Sequence, residues 1–388
     1  MKKLWNSGYQ SGYHRGYLRV VVMLLFVLSA ATSHPAQAVT RFDDGVGWRL
    51  VAPEPQVGRP ARVTPQPASP HQFYLPLFVN GATVAVTTPS AQLSTPQLLE
   101  QAVTRGDISA DERILYLAYA LYEPPTLPAQ FRSNVGWYGT AYVAEVQAYT
   151  EQALAATTDA IRQELSRLSR LAATVCDNED GGNSTDSTNF HFDYDTISGG
   201  LTLSDYTTSM ETTFAIEVTQ FGWAKPPLCT GGGTCSGATN PWGKYPIQIF
   251  GLGSGLYGYV TGGGAPYTGF IGDNPNTTAT ETAAFATCMV LNDDFSQFSE
   301  GAQAALDATT SHEFVHAIQY AYGDASTDED DMWYESSAAY MEDEIFDDAN
   351  SDYLYLWPEV SNCLGEWPNN SDPYGVSQYS NFLFFRHV

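Results

Sequence analysis

Apolar and polar positions alternate along this chain with a period that changes several times, and each change predicts a different element. Residues 20–28, VVVMLLFVL, are a short unbroken apolar run. Residues 39–70 are rich in proline and almost free of periodic apolar positions, which predicts an extended arm or linker. From about 95 to 175 the apolar residues recur at helical spacing. STPQLLEQAVTRG opens with a Ser/Thr-Pro start signal, and SADERILYLAYALY follows as a second helix. VAEVQAYTEQALAATTDAIRQELSRLSRLAATV reads as one long amphipathic helix or a pair. A polar, glycine-bearing boundary, CDNEDGGNSTDSTN (176–189), closes this module.

Beyond the boundary the pattern mixes periods. FHFDYDT (190–196) alternates as a strand does. Residues 204–223 predict a helix capped by Ser204. YPIQIFGL and LYGYVTGGG are short strands bounded by glycine, and TAAFATCMVLNDD (282–294) leans towards strand before an Asn-Asp-Asp turn. Two helices follow, at about 301–322 and 331–347. The chain closes on YSNFLFFRHV, an apolar run with no cap, as expected of a domain whose C-terminal part continues further. The mixture predicts an α+β fold.

Composition adds a cellular setting. Lys2, Lys3, Arg15 and Arg19 precede or enter the first apolar run, and AQA (36–38) offers a small-residue cleavage site. Residues 1–38 therefore read as a secretory signal peptide, because the run is too short to span a bilayer. Removing them takes four basic residues and no acidic ones, so the net charge of −26 becomes −30. Such a chain repels nucleic acid and anionic membranes, so neither is an expected partner. The expected location is periplasmic or extracellular. Of five cysteines, Cys229 and Cys235 flank a glycine-rich loop that reads as locally closed, and none shows the CxxC spacing of a structural zinc site. The 176–189 loop fails the EF-hand spacing, so Ca2+ is conceivable but has no motif behind it.

The chemistry sits in TSHEFVHAIQY (310–320). On a helix, His312 and His316 share a face one turn apart, so two imidazoles reach one metal ion. Glu313, beside the first ligand, is placed to take a proton from a water that the metal has acidified. Imidazole and carboxylate ligands without thiolate favour zinc. A third ligand is found in MWYESSAAYMEDE (332–344), eighteen residues after His316. That length lets the first helix end, turn at Gly323 and DASTDEDD, and return as an antiparallel helix with Glu335 in its first turn. The small residues Ser336, Ser337, Ala338 and Ala339 allow close approach. Glu342, two turns on, is either an outer partner of a ligand histidine or a solvated acid like Asp343 and Glu344.

HEFVH, eighteen residues, then ESSAAYMED resembles the gluzincin metallopeptidases. WYESSAAYME is similar to the glutamate helix of the M1 aminopeptidases, and residues 189–388 resemble a group of secreted microbial metalloprotease-like proteins. The resemblance implies zinc ligands His312, His316 and Glu335, with Glu313 as general base and a protein or peptide as substrate. It implies a catalytic domain over 187–388, with a small twisted sheet packed on the HExxH helix and a glutamate helix after it. In front stand an arm or linker (39–94) and a helical module (95–175), the latter either structural or a pro-segment. Two departures follow. There is no Gly-x-Met-Glu-Asn segment to bind a substrate amino terminus, which favours internal cleavage. The aspartate that thermolysin-like enzymes place four residues after the ligand glutamate is Ala339 here. Tyr374 and Tyr379 are candidates for steadying the oxyanion, His387 a weaker one. Residues 283–291 are either a substrate-pairing edge strand or a buried central strand. His71 and His191 have no matching partners and are not expected to bind the metal. The competing expectation is a non-catalytic secreted surface or adhesion protein braced by a structural metal.

Overall fold

Strand Cys288–Asn292 organises the molecule: all five of its residues are buried, as in a strand covered on both faces. The structure is a computed structural model that describes residues 93–152, 158–176, 182–230, 234–235, 239–263, 265–323, 331–349, 379 and 382. The signal peptide and the proline-rich arm lie outside the described residues. So do the 324–330 turn, Cys363, Tyr374, His71 and His387. The described residues all fall in one compact unit. Among them are seven α-helices and a mixed five-stranded sheet, in agreement with an α+β fold.

The helices are α1 (Thr95–Arg105), α2 (Ala110–Tyr122), α3 (Thr140–Gln152), α4 (Asp159–Ala172), α5 (Leu203–Phe214), α6 (Ala302–Tyr322) and α7 (Asp331–Ile345). The strands are β1 (Asn183–Asp186), β2 (Phe190–Tyr194), β3 (Thr234–Cys235), β4 (Tyr245–Phe250), β5 (Gly258–Thr261), β6 (Gly269–Gly272), β7 (Ala284–Ala286) and β8 (Cys288–Asn292). The long periodic stretch 143–175 thus resolves into a helix pair. Local signals set the ends. Ser94 and Gln97 form a capping box on α1, and Gly106 ends it in the left-handed region at φ 74°. Ser109 and Glu112 start α2 in the same way. The cap of α5 is Thr202, bonded to Asp205, two residues before the expected Ser204. Past Phe214 the coil widens into a π-helical turn, Ala215–Gln220.

The large sheet runs β1-β2-β4-β8-β5. β2, β4 and β8 are parallel, and β1 and β5 are antiparallel to their neighbours. Its two faces follow from the period of two. Phe190, Phe192, Met289, Leu291 and Val260 join one core with Met210 of α5 and Leu306, Phe314 and Ile318 of α6. Cys288, Val290 and Tyr259 join a second core with Leu117, Leu121, Val143, Leu165 and Leu168 of α2–α4. The helical stretch 95–175 and the strands after 187 therefore share a core. The Cys176–Cys288 disulfide also joins them, across 112 residues of sequence. Cys229 and Cys235 are bonded, as their loop predicted. Within 283–291, β8 is a central strand, whereas β7 is an end strand of a small β3-β6-β7 sheet among the described residues. Among the described residues no helix is long and apolar enough to cross a membrane.

His191 points away from the α6 side of the sheet. Its Nδ1 is 2.6 Å from Asp186, its Nε2 is 3.7 Å from Asp193, and its ring stacks on Trp242 at 4.0 Å. Lys244 also pairs with Asp186. Burial favours the neutral ring, but Asp193 and Asp186 outweigh it and raise the imidazole above its ordinary value. Folding then takes up a proton, so the stability that this group contributes is complete below about pH 6.5 and is lost as pH rises through the folded value. The melting temperature of the parent should therefore fall relative to that of H191Q between about pH 6 and 8. Two parallel melting curves over that range would contradict this account.

Candidate metal centre

Helix α6 is unusual in what it buries. From Thr309 to Gln319 it hides Thr309, Thr310, Ser311, His312, Glu313, His316 and Gln319. Polar side chains at such depth require partners. Spacing on the coil puts His312 and His316 on one face, with their Nε2 atoms 3.1 Å apart. α7 packs against that face. Ser336, Ala338 and Ala339 are fully buried in the contact, so small side chains bring the two helices together as the sequence implied. Glu335 then reaches both rings: its Oε2 lies 3.1 Å from His312 Nε2 and its Oε1 3.5 Å from His316 Nε2. His312 is 0 % exposed, and His316 and Glu335 are each 2 % exposed.

The far side of each ring is also held. His312 Nδ1 donates to Glu342 Oε1 at 2.7 Å. His316 Nδ1 donates to Gln319 Oε1 at 2.7 Å, while Gln319 Nε2 donates to the Tyr334 carbonyl and the Ser337 hydroxyl. Because the Tyr334 carbonyl only accepts, it fixes which end of the Gln319 amide faces His316. With both Nδ1 atoms committed as donors, the two Nε2 atoms face the same point as a carboxylate and present lone pairs to it when the rings are neutral, or a proton when a ring is charged. Three acceptors without a donor between them call for a positive charge. Burial disfavours a charged His312, yet its bonds to Glu335 and Glu342 hold it up at about 10. Burial would raise Glu335, but the charge of His316 and the bond from His312 bring it down to about 2.

The geometry fits a metal ion. Tetrahedral ligands about 2.0–2.1 Å from zinc stand roughly 3.3 Å from one another. Here the two Nε2 atoms are 3.1 Å apart, and Glu335 sets one carboxylate oxygen 3.1 Å from His312 Nε2 and the other 3.5 Å from His316 Nε2. Among the described residues, His312, His316 and Glu335 are the group whose ligand atoms converge in this way.

Glu313 is not in that set. Its Oε2 accepts a hydrogen bond from Thr140 Oγ1 at 2.5 Å, and its Oε1 is buried without a partner. Burial raises its pKa, opposed by the charges of His316 and His312. Tyr138 stacks flat on His312, 3.8 Å between centroids and 5° between planes. The Tyr379 ring is 5.8 Å from both His312 and Tyr138, so this candidate sits beside the centre. Ala339 lies in the apolar core, and the partner of His312 is Glu342, fully buried, rather than a residue at that position. Glu217, in the π-helical turn, is buried with neither carboxylate oxygen bonded. Its pKa is raised well above the ordinary value by burial, with the charge of His312 opposing.

Sequence reasoning missed Thr140, Tyr138, Gln319 and Glu217. Gln319 was within reach, since it stands three residues after His316 on the same helix face. Glu217 had a weaker signal, an acid inside the apolar pattern FAIEV. Nothing in sequence links Thr140 to Glu313 across 173 residues.

Comparison with protein-family models, curated proteins and solved structures returned no match.

Partners behind metal-ligating histidines tune affinity by about 10–100-fold. E342Q should weaken binding of a divalent metal ion by that factor in a chelator competition, with an unchanged far-ultraviolet spectrum. Parent-like affinity would mean that the His312–Glu342 contact does not tune the site.

Proposed function

We propose that this chain is a secreted zinc-dependent peptidase of the gluzincin type that cleaves peptide bonds internally. His312, His316 and Glu335 would hold the metal, which when bound supplies Lewis acidity. The observation that carries the reading is Glu313: a buried carboxylate next to the ligand cluster but outside it, with one oxygen bonded and the other open. A second acid in that position is superfluous for bracing a fold and is what general-base chemistry needs. Glu313 Oε1 takes a proton from the attacking water and later delivers it to the leaving amine. Glu342 and Gln319 keep both ligand imidazoles in the tautomer that presents Nε2 to the centre. Tyr379, whose ring centroid lies 5.8 Å from that of His312, is the candidate for a hydrogen bond to the developing oxyanion. Tyr374 has the same standing from the sequence.

Zinc is preferred because the ligands are two imidazoles and a carboxylate. Internal cleavage is preferred because the chain lacks a Gly-x-Met-Glu-Asn segment. β7, an end strand packed on α6, is the segment with which an extended peptide substrate would pair. Two disulfides support an oxidising compartment. The near-complete burial of the ligands favours a second reading, a surface or adhesion protein whose metal only braces α6 against α7.

E313Q separates them. It should bind one equivalent of Zn2+ like the parent and lose casein cleavage by at least about 100-fold. Chelation should leave the parent folded and inactive, whereas a bracing metal would be lost together with the fold. Undiminished cleavage by E313Q would end the proposed mechanism.

A further inference from the structure

The chain segment Gly136–Gly139 runs beside the outer edge of β5. Trp137 N donates to Gly255 O, Tyr257 N to Trp137 O, and Gly139 N to Gly258 O, at 2.9–3.0 Å. The approach is close: a Cβ on Gly139 would stand 3.0 Å from the Leu256 and Tyr259 side chains. This pairing carries Thr140, the first residue of α3, to Glu313.

We propose that Thr140 is a positioning residue for Glu313, one that selects which carboxylate oxygen acts as the base. The inference rests on the peptidase reading above. The Thr140 hydroxyl accepts the backbone N–H of Val260 at 2.8 Å. A hydroxyl has a single proton to give. With Val260 N–H filling its acceptor side, that proton is directed to Glu313 Oε2, 2.5 Å away. This is the one hydrogen bond of the Glu313 side chain among the described residues, and both groups are buried. It stops the carboxylate from swinging, occupies Oε2, and leaves Oε1 as the atom that receives the proton. A residue of the helical stretch upstream of the sheet thus belongs to the machinery of a site built around a glutamate 173 residues later.

The test compares T140V, which keeps the shape and removes the hydroxyl, with T140S, which keeps the hydroxyl. For T140V the expected result is parent-like Zn2+ content, KM on a fluorogenic casein-derived peptide within about threefold, and kcat reduced about 10–100-fold, as for loss of an orienting contact. T140S should recover kcat to within a few fold. The second readout needs no activity. Melting temperatures of the parent, T140V, E313Q and the double variant should be non-additive, because the two side chains touch. Parent-like kcat in T140V, or equal losses in T140V and T140S with normal melting, overturns the proposal. If T140V does not fold, T140A, which leaves room for a water on Val260 N–H, takes its place in both measurements. A parent that binds zinc and cleaves nothing sinks the peptidase reading instead. The melting cycle then decides the Thr140–Glu313 bond alone, and additive shifts overturn it.

Discussion

Two imidazoles and a carboxylate face one another inside the protein, each offering a lone pair to the same point. Burying even a neutral polar group without a partner costs roughly 2–7 kcal/mol, and an ionised one costs more. Much of the surrounding architecture reads as the means of meeting that cost. Glu342 and Gln319 take the outer N–H of each ring, so neither imidazole is free to turn its Nε2 away. Tyr334 and Ser337 in turn fix Gln319. The result is a pocket whose field favours a cation: it holds the His312 proton tightly and keeps Glu335 ionised despite burial. A divalent ion meets the same demand with three ligands already at about the right separation.

Holding three side chains to within a fraction of an ångström needs a rigid mount. β8 supplies it. Its alternate residues enter two separate cores, Met289 and Leu291 on the α6 side, Cys288 and Val290 on the side of α2–α4. α6 therefore lies on a sheet that is itself backed by a second layer of helices. Phe314 locks the phase of α6, since its ring meets Phe190 and Tyr245 edge-on and Phe214 at a tilt. With Phe314 fixed against the sheet, His312 and His316 can face only α7, and Glu313 can face only the β5 edge.

Much of this was legible in the chain because it is local. Histidines four apart share a face by helix geometry, and a run of Ser-Ser-Ala-Ala announces a close helix contact. The α1 and α2 boundaries were readable because Ser94 and Ser109 bond to residues three positions on. The cap of α5 was misplaced because Thr202 and Ser204 have the same chemistry, and the backbone path decides between them. Residues 283–291 left two strand roles open because a short apolar run does not reveal its neighbours; here the run divides, β7 at an end and β8 in the middle. Thr140 and Tyr138 were invisible for a deeper reason. Their roles depend on which edge of β5 the 136–139 segment occupies, and that is a property of the tertiary fold.

The same dependence bears on the stretch from 95 to 175. A pro-segment that leaves on activation has to detach without removing anything the active form needs. This stretch covers Val290, Cys288 and Tyr259, which would otherwise face water from the middle of the sheet. Exposing one large apolar side chain costs about 1.5–3 kcal/mol, and several would be exposed together. The Cys176–Cys288 bond would still tether its end to β8. Thr140 and Tyr138 would leave with it, so Glu313 would lose its hydrogen bond and His312 the ring stacked upon it. The physics of this core therefore disfavours excision of the helices behind the sheet.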